Sequence, residues 1–193
     1  MYQKYSTEAL VVGSRESGES DRMYLLFTKD FGLVRARASA VRQEKSKMRY
    51  ALQNFSRAHV SLVRGKRGWR LAGATAVFTS VGKDTKGIAA FARISELANR
   101  LIAGEERNDY LFSALSDAHQ ALLTVESSKA HVGTIEIVCV ARMLFTLGYI
   151  SNEALQTALF THTDYSITHL TEADAMKDQL LSSINRAISQ THL

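Results

Sequence analysis

Six cations fall within fifteen residues, Arg35, Arg37, Arg42, Lys45, Lys47 and Arg49, and a single acid, Glu44, interrupts them. Such a cluster can neutralise phosphates and release their condensed counterions. The resulting affinity is independent of sequence and falls with salt by about 0.7 to 0.9 log units per contact per decade. A second group, Arg64, Lys66, Arg67 and Arg70, surrounds Trp69, the only tryptophan. An aromatic side chain among cations is a platform on which single strands stack, at about 1–3 kcal/mol per base. A core position at the start of a strand accounts for Trp69 equally well. For the first cluster the competing reading is a solvated basic face.

Catalytic chemistry has little support. The six histidines (His59, His119, His131, His162, His169 and His192) are scattered, and none forms an i, i+4 pair with a supporting carboxylate. His162, Asp164 and His169 lie close in a polar loop, where a metal would need a fourth ligand and a fixed geometry. Gly13, Ser14 and Gly32 build no phosphate loop, because the Gly-Lys-Ser/Thr ending is missing. No acid pair, nucleophile elbow or thiol dyad is defensible from spacing. The one cysteine, Cys139, sits in the apolar run around Ile135, Ile137, Val138 and Val140, so it reads as a buried inert thiol. No enzyme, cofactor or metal is expected.

These residues must be positioned by the elements around them. The first 80 residues read as five short strands separated by turn signals, at 6–14, 23–28, 33–42, 59–63 and 69–78. In the third, Val34, Ala36, Ala38 and Ala40 alternate with Arg35, Arg37 and Ser39, giving one apolar and one cationic face. Gly65 and Gly68 suit a hairpin between the last two strands. Five strands of this length fit the OB-type Greek-key barrel. Past Gly82 the period becomes helical. Ile88, Phe91, Ile94, Ala98 and Leu101 form one stripe, and Leu111, Leu115, Ala118, Leu122 and Val125 form another behind an Asn108 or Asp109 cap. Residues 132–149 are apolar nearly all round, as in a bundle centre. After a polar loop at 161–168, a last amphipathic helix carries Met176, Leu180, Ile184 and Ile188. The expected class is therefore α+β multidomain: an N-terminal five-stranded OB-type barrel over 1–80 and an all-α domain over 81–193.

Charge follows the same division. Residues 1–86 hold 17 Lys and Arg against 7 Asp and Glu, a net +10, and residues 87–193 hold 7 against 12, a net −5. A basic half joined to an acidic half suggests that only the first meets a polyanion. The opening MYQKYSTEAL lacks an apolar signal core, and no stretch approaches the about 18 apolar residues of a membrane span. A cytoplasmic protein is expected.

The N-terminal motifs are specific. EALVVGS (8–14), GESDR (18–22), the continuation from Tyr24 to Thr28, FGLVRARA (31–38) and ALQNFS (51–56) resemble, in order and spacing, the opening of RecO proteins. DYLFSAL (109–115) and LFTLGY (144–149) are looser likenesses. The resemblance implies an OB-fold followed by a helical domain, in a cytoplasmic, nucleoid-associated mediator of DNA repair and recombination that is not an enzyme. Such a protein binds single- and double-stranded DNA, anneals complementary strands and, with RecR, helps load RecA onto DNA coated by single-stranded-DNA-binding protein. By position, Arg35, Arg37, Arg42, Lys45, Lys47 and Arg49 would line the DNA face. Many relatives carry a four-cysteine zinc module after the segment equivalent to Gly148-Tyr149, and this chain has no cysteine there. The competing function is an RNA-binding adaptor whose acidic helical domain is a protein-interaction module, since an OB barrel accommodates RNA as readily as DNA.

Overall fold

The structure, a computed structural model, describes residues 3–78, 85–124, 131–151 and 157–191. The chain divides into two compact units: Met1–Gly82 with Ala103–Asp109, and Lys83–Ile102 with Tyr110–Leu193. Gly82, Val125, His192 and the 80/81 boundary lie outside the described residues.

The first unit is a closed five-stranded barrel of order β1-β2-β3-β5-β4, the OB-type arrangement. Its strands are β1 Lys4–Ser17, β2 Asp21–Thr28, β3 Gly32–Ala38, β4 Arg57–Gly65 and β5 Gly68–Phe78. β1 closes the barrel because it has two partners in succession. Lys4 to Leu10 pair with β4, and Ala9 to Ser17 pair with β2 across a bulge between Val11 and Gly13. The first strand, expected to end at Ser14, runs on to Ser17, and Gly13 lies at its bulge. The turn comes at Gly18, whose φ of 78° suits glycine. β3 is shorter than its alternation suggested, because Ala40 adopts φ 54° and takes the chain out of the sheet.

Val34, Ala36 and Ala38 point into the core, where they meet Val11, Leu26 and Leu62. A short helix that periodicity did not reveal, α1 at Met48–Ala51, follows the basic loop. Its end lets Leu52 reach the same core while Met48 packs beside it. The 103–109 segment returns to this unit at the β2–β3 turn. A Cβ on Gly32 would stand 2.2 Å from the Glu106 carbonyl oxygen, so only glycine admits that approach.

The second unit is helical among the described residues: α2 Thr85–Leu101, α3 Asp109–Thr124, α4 Val132–Thr146, α5 Ile167–Ala175 and α6 Lys177–Gln190, with a 3-10 turn at Ala158–Phe160. α4 packs against α2, α5 and α6. Its all-round apolar character follows from that central position. The expected single last helix is two, because the chain breaks at Met176. α5 also begins at Ile167, inside the stretch read as polar loop.

Candidate nucleic-acid interface

The cations of β3 belong to a wider surface than the sequence reveals. Arg37 lies opposite Met23 of β2 and beside Arg70 of β5, and Met23 lies opposite Arg15 of β1. Directly paired residues share a face, so Arg15, Arg37 and Arg70 form one row across the outside of the barrel. One row further along β3, Arg35 pairs with Leu25, which pairs with Gly13. Between these rows lies a depression of about 270 Å³, lined by Gly13, Ser14, Arg15, Met23, Tyr24, Leu25 and Arg35. Its floor is apolar and its edges are cationic. In five-stranded Greek-key barrels the outer face of strands 2 and 3 and the 1–2 and 4–5 hairpins are the oligonucleotide platform.

Not every cation is equally available. Arg37 bonds Asp21 at 2.6 Å, and Asp21 also accepts from the Ala40 N–H at 2.7 Å. The Ala40 N–H, and after it Arg37, holds the Asp21 carboxyl below the usual carboxylate range. Arg37 thus braces the exit from β3 as well as facing solvent. Arg42 pairs with Glu16 at 3.1 Å and donates to the Gly18 carbonyl at 3.3 Å, which ties its loop to the β1–β2 hairpin. Arg64 is engaged by Glu105 at 3.4 Å and lies over the Trp69 ring. Among the described residues, Arg15, Arg35, Lys45, Lys47, Lys66 and Arg67 pair with no carboxylate. Lys66 and Arg67 occupy the tip of the β4–β5 hairpin.

Trp69 must be corrected as a stacking platform. It is only 5% exposed, pairs with Ala36 on the inward face, and packs edge-on to Tyr5 at 5.6 Å with Phe31 at 5.3 Å. The phase of β5 dictates this: Trp69 and Leu71 point in, and Arg70 between them points out. The exposed aromatic among the cations is Tyr50, 57% exposed, with the Arg49 guanidinium 4.8 Å from its ring centre. Its neighbours Lys47 and Arg49 are a signal that was present in the sequence. Arg15 carried no such signal, because its place depends on the register of β1 on β2.

The family model described as Recombination protein O N terminal matches residues 1–79. Proteins called DNA repair protein RecO are similar over varying lengths. The one from Desulfitobacterium hafniense is 45% identical over 62 residues, covering 32% of this chain and 23% of the relative. That of Myxococcus xanthus is 33% identical over 145 residues, covering 68% and 59%. That of Caldanaerobacter subterraneus is 28% identical over 148 residues, covering 74% and 58%. The chain belongs to the RecO family. It spans less than two thirds of the length of these RecO relatives.

In this RecO family member residues 159–165 are organised around an arginine. Arg142, inside α4 and 0% exposed, donates from Nε to the Leu159 carbonyl at 2.8 Å and from Nη1 to those of Thr163 and Asp164 at 2.7 and 3.0 Å. Its guanidinium lies over the Tyr165 ring at 4.7 Å. Cys139 is buried in the same helix, and burial pushes its thiol up to about 12. His162 stacks on His169, whose Nδ1 meets Asp164. Among the described residues no helix is long and apolar enough to cross a membrane.

Proposed function

We propose that this chain binds single- and double-stranded DNA through the outer face of its barrel and acts as a non-enzymatic mediator in recombinational DNA repair. In that role it anneals complementary strands and, with RecR, helps RecA replace single-stranded-DNA-binding protein. The observation that carries the reading is the row Arg15, Arg37 and Arg70 beside Arg35, assembled from three separate strands on the face that OB barrels use for oligonucleotides. Membership of a family whose relatives are called DNA repair proteins supports the step from polyanion to DNA.

The chemistry of annealing fits such a surface. Two phosphate backbones repel each other, and a cationic face reduces that repulsion while leaving base edges free to pair. Backbone contacts carry no sequence information, so annealing should be indifferent to sequence. The test is the rate at which two complementary labelled strands become duplex, with the intact chain and with Lys45→Glu/Lys47→Glu. The intact chain should accelerate the reaction at moderate salt and the variant should not. Binding without acceleration would reduce the chain to a generic DNA binder. Equal competition by RNA, with no annealing, would favour the adaptor reading in which the acidic helical unit is the working part. Turnover of nucleic acid with a divalent metal would refute the non-enzymatic assignment.

A further inference from the structure

A second depression of the first unit, about 280 Å³, lies where the β1–β2 hairpin, the loop after β3 and α1 come together. Three arginines from these three places line it, Arg22, Arg42 and Arg49, with Glu16, Tyr24 and Gln53 among the other walls. Glu16 is the one carboxylate in this lining, so the charged side chains carry a net +2. It must serve two arginines, standing 3.1 Å from Arg42 and 3.8 Å from Arg22. Arg22 Nε is enclosed with no hydrogen-bond acceptor among the described residues. Arg49 faces two ways: it lines this cleft, and its guanidinium lies over the Tyr50 ring, with Nη2 donating to the Tyr50 hydroxyl at 2.7 Å. A guanidinium-lined cleft with excess positive charge suits a phosphodiester. An exposed aromatic ring beside it suits the base attached to that phosphate.

We propose that this cleft and Tyr50 form a one-nucleotide clamp for single-stranded DNA, with the phosphate among Arg22, Arg42 and Arg49 and the adjacent base stacked on Tyr50. The inference rests on the reading of the barrel as a DNA-binding surface and adds a strand-selective element to it. A base inside a duplex is already stacked on its neighbours and offers no free face, whereas phosphates are present in both forms. Tyr50 therefore discriminates single strands from duplex, and the arginines do not.

The test is fluorescence anisotropy of the full chain with a labelled thymidine homopolymer and with a duplex, over a range of salt. Tyr50→Ala should weaken single-strand binding about tenfold, with duplex affinity unchanged within about twofold. Its salt slope should stay the same, because no phosphate contact is lost. Tyr50→Phe should behave as the parent, since the ring is kept. Arg22→Gln and Arg49→Gln should each lower the single-strand slope by about 0.7, and Glu16→Gln should tighten binding a few-fold. Thermal melting of each variant separates loss of fold from loss of contact. If Tyr50→Ala binds the homopolymer as the parent does, or loses duplex equally, the clamp is wrong while the barrel reading stands. A parent chain that binds neither probe overturns both.

Discussion

At the scale of single residues, the barrel shows how one-residue alternation divides structural from functional side chains. Trp69 and Arg70 are neighbours in sequence, yet one fills the core and the other faces solvent. Trp69→Ala should therefore cost about 3–5 kcal/mol of stability, the range for a large buried aromatic, measured by urea unfolding. In the intact chain the emission of this sole tryptophan should be unmoved by a bound single strand. A second prediction concerns Asp21, whose carboxyl is held below its ordinary value of 3.8 by the Ala40 N–H and Arg37. A carboxyl depressed in the folded state contributes stability that is present above 3.8 and is lost as pH falls through the folded value. Unfolding of the parent below that pH should thus be steeper than in Asp21→Asn, with the two profiles followed by circular dichroism. A variant with unchanged acid sensitivity would show that the Arg37–Asp21 brace is not coupled to folding.

Among the elements, the helical unit places two unusual demands on its sequence. In α2, Gly87 meets α3 so closely that a Cβ would stand 2.2 Å from the Leu122 carbonyl oxygen. Ala would gain about 1 kcal/mol of helix propensity over Gly, but a backbone oxygen has little room to retreat and overpacking typically costs 1–3 kcal/mol. Gly87→Ala should therefore lower stability, and a higher melting temperature would contradict the close packing of α2 on α3. In α4, Arg142 is a buried cation whose partners are carbonyls of the 159–164 stretch. Arg142→Ala leaves the buried Leu159 carbonyl and the part-buried carbonyls of Thr163 and Asp164 without their donor, and an acceptor orphaned in this way costs about 1–3 kcal/mol. Hydrogen exchange should accelerate first around residues 159–165. Periodicity shows that α4 is central, because its apolar residues surround the whole helix. It does not distinguish an arginine that snorkels to solvent from one that holds a loop, since that depends on a segment seventeen or more residues away.

Over the whole molecule, folding redistributes the charge that the linear sequence displays. With Ala103–Asp109 counted where it packs, the first unit holds 16 Lys and Arg against 9 Asp and Glu, a net +7, and the second 8 against 10, a net −2. The contrast is softer than the +10 and −5 of residues 1–86 and 87–193. The returning segment is acidic, and its Glu105 lies against Arg64, so part of the barrel's positive field is answered within its own unit. Salt should still weaken DNA binding strongly. Reversing Lys45 and Lys47, which have no carboxylate partner among the described residues, should lower the logarithmic salt slope by roughly 1.4 on single strands. Reversal of Arg64 should lower the slope by less than the roughly 0.7 expected for each lysine, because its charge is already paired. A full loss of about 0.7 for Arg64 would mean that the ion pair with Glu105 opens when DNA binds.

What the amino-acid sequence determined by itself was everything that repeats locally. Alternation in β3 identified its cationic face, the change of period after the barrel separated strands from helices, and the motifs of the first 56 residues pointed to the RecO family. What only the tertiary structure decided depends on registers and crossings that join distant residues. The pairing of β1 with β2 brought Arg15 into the row, and the parallel pairing of β3 with β5 joined Arg37 to Arg70. The inward phase of β5 removed Trp69 from the surface, and the short α1 left Tyr50 there beside Arg49. A strand's own pattern shows which side chains share a face, but barrel closure sets which faces meet, because hydrogen-bond register between strands is chosen by the packing of the common core.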